Sequence, residues 1–277
     1  MVQRRAGAPR SGSGRLIMAA ILALIALGTY YCNTQVNPIT GEEQRVALTP
    51  DQEIALGLQA APTMVAQFGG PEPNRQAQDL VDQLGQQIIA ESDLEEPWEW
   101  EFTLLDDDQT INAFALPGGQ IFITSALLQL LESEGELAGV LAHEIGHVVG
   151  RHSAEQLAKQ QLTQGLSAAA VLATYDPEDP NSTQSAQVAL LIGQLVNLKF
   201  GREHELESDD FGVEYMSAAG YDPRSMISVM EKLASANQGQ APPEFFSTHP
   251  NPENRISNIQ QAIQEQFPGG VPQGLTP

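Results

Sequence analysis

Residues 143 to 153, HEIGHVVGRHS, hold three of the chain's five histidines and sit in an apolar setting, LAGVLA before and VV within. Burying two imidazoles there without partners costs roughly 2–7 kcal/mol each, so the surrounding fold must supply something for them to hold. A helix turns about 100° per residue, which puts His143 and His147 one turn apart on one face, able to aim ring nitrogens at a single ion. Glu144 is rotated by about 100° from that face, near enough to reach a water on the ion. This HExxH spacing suits zinc held by two neutral imidazoles, with Glu144 as the catalytic base that takes the water's proton.

Catalytic zinc needs a third protein ligand and an open fourth position. His152 lies nine residues from His143; on a helix that runs on it points about 180° away, which suits packing or a supporting contact. The candidates therefore lie elsewhere, in GREHELESDD, residues 201 to 210. Glu205 and Asp209 are spaced i, i+4, so one can ligate while the other accepts a hydrogen bond from a ligand histidine's free N–H. His204 and Glu207 face other directions. By spacing alone, a solvated acidic helix face accounts for the same segment.

Along the rest of the chain, DQEIALGLQAAPTMVAQF and RQAQDLVDQLGQQIIAE repeat apolar residues at helical steps. Residues 98 to 124 change period: three short runs rich in aromatic and β-branched residues, broken by DDDQ and Pro117-Gly118-Gly119, predict a small antiparallel sheet. After Ser125 helices dominate, including short Ala- and Leu-rich ones at 165 to 174 and 186 to 196, which are too short to span a bilayer and are expected in the core.

The net charge of −22 argues against a nucleic-acid partner, since an acidic body repels a phosphate backbone. The first fifteen residues are the exception, with Arg4, Arg5, Arg10 and Arg15 and no acid. They precede LIMAAILALIALGTYY, residues 16 to 31, about the minimum length for a membrane-spanning helix. Positive charge before it places the body outside the cytoplasm, with residues 16 to 31 as signal anchor or cleaved signal peptide. Cys32, just after this run, is a possible lipid-bearing residue, and a single cysteine excludes an intrachain disulfide.

Several motifs in order carry a more specific resemblance. NPITGEEQRVAL, NAFALPGGQIFIT, HEIGHVVGRHS, GREHELESDDFG and STHPNPENRI, over most of residues 37 to 260, resemble the zinc metallopeptidase family of HtpX, BepA, the CAAX prenyl protease and the mitochondrial Oma protease, its exported single-domain bacterial members above all. The resemblance maps the family's ExxxD motif onto Glu205 and Asp209, with Glu205 as third metal ligand. It implies a substrate-binding strand at Asn112, Ala113 and Phe114, which would pair main chain to main chain with an extended peptide. It implies for His249 either stabilisation of the oxyanion or closure over the zinc. Arg202 and Arg255 fall on basic positions and are expected to bridge helices. The chain departs from the family at Ser208, where alanine is common.

The expectation is an α+β, mostly helical, zincin-like metallopeptidase domain at 50–268 with one Zn2+ and a small antiparallel sheet beside the active-site helix. A basic head at 1–15, the segment 16–31, a linker at 32–49 and a flexible tail at 269–277 complete it. The expected substrates are unfolded or misassembled envelope polypeptides, on the extracytoplasmic, periplasmic side of the membrane.

Overall fold

Ser133 starts the helix that organises the molecule: its hydroxyl accepts from the Glu136 amide, and Glu134 and Glu136 place negative charge where the helix dipole favours it. In the computed structural model, which describes residues 12–94, 96–174, 200–236, 243–250 and 254–277, this helix is α5. The elements before it are α1 (Gly12–Cys32), β1 (Gln35–Val36), β2 (Glu43–Gln44), α2 (Pro50–Gln67), α3 (Arg75–Glu91), β3 (Glu101–Leu105), β4 (Ala113–Ala115), β5 (Gln120–Thr124) and α4 (Ser125–Leu130). After α5 (Glu134–Val149) come α6 (His152–Thr174), α7 (Arg202–Ala218), α8 (Ser225–Ala236), α9 (Phe245–Thr248) and α10 (Arg255–Gln266). The fold is therefore mostly helical with small sheets, as the sequence predicts. The helix predicted at 186 to 196 lies outside the described residues.

Every residue of α5 from Gly135 to Val149 is buried, because α3, α7, α8 and the sheet all pack on it. Leu137, Leu141, Ile145 and Val149 join Phe102, Ile121, Ile123, Met216 and Leu233 in the main core. Gly146 permits a close backbone approach. A Cβ there would meet Ser208 Cα and Phe211 Cβ at 3.1 Å, so the missing side chain lets α7 lie against α5.

The sheet differs from the antiparallel one expected. Its order is β3-β5-β4, with β4 antiparallel to β5 but β3 parallel to it, Phe102 opposite Ile121 and Phe114 opposite Phe122. The tight turn at Pro117-Gly118-Gly119 makes a hairpin of β4 and β5. The DDDQ stretch does not turn back on itself; it carries the chain past the end of β5, held by the Asp107 carboxylate, which accepts from the Gln109 and Thr110 amides at 2.9 Å. Gln78 covers the outer edge of β3, donating to Phe102 O and accepting from Leu104 N, both at 2.8 Å. β4 forms the opposite edge.

Two segments read as loose are built in. Within the supposed linker, β1 and β2 form a hairpin whose side chains cap the end of α5: Asn37 Nδ2 donates to Val149 O at 2.7 Å and Gln44 Nε2 to Gly150 O at 2.6 Å. The tail at 269–277 is docked as well. Thr276 donates to Gly220 O at 2.9 Å and accepts from Asp222 N at 2.8 Å, and the Gly135 amide donates to Pro277 O at 3.0 Å. Both lack the long apolar runs by which sequence announces packing; backbone and amide hydrogen bonds hold them.

Helix α1 lies along α6, so closely that a Cβ on Gly165 would meet Ala26 Cβ at 2.6 Å. Leu16, Ile17, Met18, Leu24 and Ile25 remain exposed on it. Among the described residues no helix is long and apolar enough to cross a membrane.

Candidate metal centre

α5 presents His143 and His147 side by side, as the i, i+4 spacing requires, with Nε2 atoms 3.1 Å apart. α7 brings Glu205 to the same point, Oε2 at 3.6 Å from His143 Nε2 and Oε1 at 3.5 Å from His147 Nε2. His249, just past α9, completes the group: its Nδ1 is 3.4 Å from His143 Nε2 and 3.3 Å from Glu205 Oε1. One ligand atom from each of these four buried residues lies within 4.8 Å of the others.

These separations fit a metal. Four N or O atoms about 2.0–2.1 Å from a central ion at tetrahedral angles stand about 3.3 Å apart, and the separations named above run from 3.1 to 3.6 Å. The chemistry of the donors agrees. His143 Nδ1 is 3.0 Å from Asp209 Oδ1, so it keeps its proton there and Nε2 is the atom that would ligate once the ring is neutral. His147 Nδ1 is 2.8 Å from His152 Nδ1, which leaves the His147 Nε2 facing that of His143. With both rings neutral in these tautomers, the two Nε2 lone pairs would face each other beside the buried Glu205 carboxylate, an arrangement that a cation would stabilise.

Glu144 is fully buried with neither carboxylate oxygen hydrogen-bonded, and its Oε1 lies 3.5 Å from His249 Nε2. Burial raises its pKa, partly offset by His249 and His143. His147 is pushed well below its ordinary value by burial and by the neighbouring imidazoles, and is neutral. His143 differs: burial pulls it down, but hydrogen bonds to Asp209 and Glu205 outweigh that, and without a cation it holds its proton up to about 9. Burial raises Glu205, yet the charge of His249, the bond to His143 and Arg255 bring it below the usual carboxylate range.

Arg255 on α10 bridges helices, as expected, at the site itself. It forks onto Asp209 through Nε at 2.8 Å and Nη2 at 2.6 Å, and its Nη1 stands 3.0 Å from Glu205 Oε2. Arg202 is exposed at the start of α7. Asn112, Ala113 and Phe114 are buried on or beside edge strand β4, and Asn112 Oδ1 has no hydrogen-bond partner. A cleft lined by Asn112, Phe114, Phe68, Leu116, Phe200 and Thr248 runs along it. Phe200 stacks on the His147 ring with centroids 3.9 Å apart, so this cleft adjoins the metal centre.

His152 is closer to the site than a continuous helix allows. α5 stops at Val149, Arg151 takes a left-handed φ of 54°, and the chain folds His152 back over the helix end. Gly150 permits it, because a Cβ there would meet His152 Nε2 at 2.3 Å. The glycine and the change of direction at Arg151 were visible in GRH as letters but not as a helix stop, since no proline follows. Phe200, Ser208 and Glu207 also touch the site's histidines; Phe200 gave no sequence signal, while Ser208 stood out only as a departure from alanine and Glu207 as facing away from the Glu205/Asp209 stripe.

With this geometry established, comparison with known proteins is direct. The model of peptidase family M48 matches residues 74–263, more than half of the chain. The chain belongs to peptidase family M48. The M48 match spans both halves of the site, α5 and α7, as well as β4 and His249. Among M48-like relatives, the chain is 31% identical over 239 residues to the beta-barrel assembly-enhancing protease of Yersinia pestis, covering 83% of this chain and 48% of that one. It is 33% identical over 249 residues to the mitochondrial metalloendopeptidase OMA1 of Schizosaccharomyces pombe, covering 88% and 71%. A third relative, OMA1 of Arabidopsis thaliana, is 36% identical over 163 residues, 59% and 31% of the two chains. The chain thus spans about half the length of the beta-barrel assembly-enhancing proteases it matches.

Proposed function

We propose that this chain is a zinc-dependent endopeptidase in which His143, His147 and Glu205 hold the metal and Glu144 is the general base. The observation that carries it is the buried set of four donor atoms within 4.8 Å of one another, with the unpartnered Glu144 carboxylate beside the two histidines on α5. Zinc bound there would polarise the scissile carbonyl and acidify its water. Glu144 takes the proton as the water oxygen adds to the carbonyl carbon, and returns it to the amine nitrogen as the peptide C–N bond breaks. Its raised pKa suits a group that must hold a proton between those steps. Asp209, held by Arg255, keeps the proton of His143 on Nδ1. An extended polypeptide laid along β4 adds a strand to the sheet edge, with Asn112, Ala113 and Phe114 as its partners.

The substrates are polypeptides, and the reading extends to unfolded or misassembled envelope proteins on the extracytoplasmic side of a bacterial membrane. The name of the Yersinia relative and the exposed apolar face of α1, a membrane-associating surface in this reading, support that extension.

One observation favours a second reading of the same centre. His249 occupies the fourth position that a catalytic metal leaves to water, as a latch would. An envelope chaperone or assembly factor with a latched, largely inactive site is the corresponding alternative. One assay, cleavage of an unfolded protein such as casein, addresses both. Glu144→Gln is expected to lower chelator-sensitive cleavage about 10²–10⁴-fold with zinc content unchanged. Undiminished cleavage in that variant would sink the mechanism. His249→Ala is expected to raise cleavage where the latch limits it, and a loss instead assigns His249 to oxyanion stabilisation.

A further inference from the structure

His147 has no carboxylate behind it. Its metal-binding neighbour His143 is backed by Asp209, but the atom 2.8 Å behind His147 Nδ1 is the Nδ1 of another imidazole, His152. Two imidazole nitrogens at that distance share one proton between a donor and an acceptor, so the tautomer of each ring fixes that of the other. If Nε2 of His147 is to face a metal, its proton sits on Nδ1 and is donated. His152 must then accept on Nδ1 and carry its own proton on Nε2. The surroundings of His152 meet that condition: its Nε2 is 3.1 Å from Glu207 Oε2, a carboxylate that accepts the Nε2 proton and so leaves Nδ1 as the acceptor.

We infer that His152 is a positioning residue for the metal ligand His147, and that Glu207 holds it in the one tautomer in which it works. The inference rests on the metal-site reading above. The string Glu207–His152–His147 does for the second ligand what Asp209 does directly for the first. Its geometry is set by the turn at Gly150-Arg151 and by a stacked partner, His204, whose ring lies 4.4 Å away and within 9° of parallel to that of His152. His204 is itself held by Glu155, at 3.1 Å.

The test is zinc binding by competition with a chromophoric chelator, together with the visible absorption of the Co2+-loaded protein, whose bands report ligand geometry without any turnover. His152→Leu keeps apolar bulk and removes the acceptor; zinc affinity is expected to fall about 10- to 100-fold, with shifted cobalt bands. His152→Asn places an amide oxygen near the lost nitrogen and is expected to restore most of the affinity. A folded His152→Leu protein with wild-type affinity and an unchanged cobalt spectrum would overturn the inference. Should that variant fail to fold, Glu207→Leu decides, because the Glu207 side chain is 36% exposed and tolerates replacement. There, weakened zinc binding that Glu207→Gln recovers supports the string, and unchanged binding overturns it. Failure of the wild-type chain to bind zinc would instead strike the underlying metal-site reading, so the two failures are distinguishable.

Discussion

The proton on His143 must leave before that ring can ligate through Nε2 while keeping Nδ1 on Asp209. Burial alone would have removed it, but Asp209 and Glu205 hold it up to about 9 in the absence of a cation. Metal binding therefore displaces one proton at neutral pH, and the sign follows: affinity rises with pH. Between pH 7 and about 9 the apparent zinc affinity is expected to increase about tenfold per pH unit, and to flatten above it. Calorimetric titration in buffers of different ionisation enthalpy measures that released proton directly. A flat affinity over this range would show that His143 is already neutral in the metal-free chain. At this scale the sequence was most informative, because ligand chemistry depends on residue type and short spacing. HExxH placed His143, Glu144 and His147, and i, i+4 spacing paired Glu205 with Asp209. The position of His152 was hidden, since a single left-handed residue, Arg151, redirects the chain.

That redirection is secured by elements from far upstream. Arg151 is buried and paired with Glu53 on α2, its Nε 2.8 Å from Glu53 Oε1, and its Nη2 donates to Leu48 O at 2.7 Å. Together with the caps from Asn37 and Gln44, this ties residues 35 to 53 to the end of the active-site helix. Glu53→Ala would leave the guanidinium buried with half its partners. It is expected to destabilise the protein by about 3–5 kcal/mol, read from the midpoint shift in urea unfolding. A shift below about 1 kcal/mol would mean that solvent reaches Arg151. Sequence periodicity located the helices because each has an apolar stripe. It could not reveal the hairpin, whose attachment depends on two amides meeting two carbonyls more than a hundred residues away, nor the parallel pairing of β3 with β5, which depends on where the chain crosses after Leu105.

On the scale of the whole molecule, the clustered donors His143, His147, Glu205 and His249 come from α5, α7 and the segment after α9, three elements that a bound ion would draw together. An ion present at a thousandfold excess over its dissociation constant adds about 4 kcal/mol to stability. For a domain of this size that corresponds to a fall of about 8 to 16 °C in Tm on chelation, measurable by calorimetry and reversed by zinc. Glu144→Gln should show the same fall, since it removes a proton acceptor and no ligand. The acidic composition, by contrast, pointed only to what the chain avoids.

The docked hairpin has a mechanical corollary. Helix α1 ends at Cys32 and β1 begins at Gln35, so only two residues, about 7 Å of chain even when fully stretched, join the apolar helix to the segment clamped on α5. Whatever holds α1 would therefore also fix the position of the cluster His143, His147, Glu205 and His249 relative to it. Such a mount has no swing: the offset of that cluster from α1 is set by the fold.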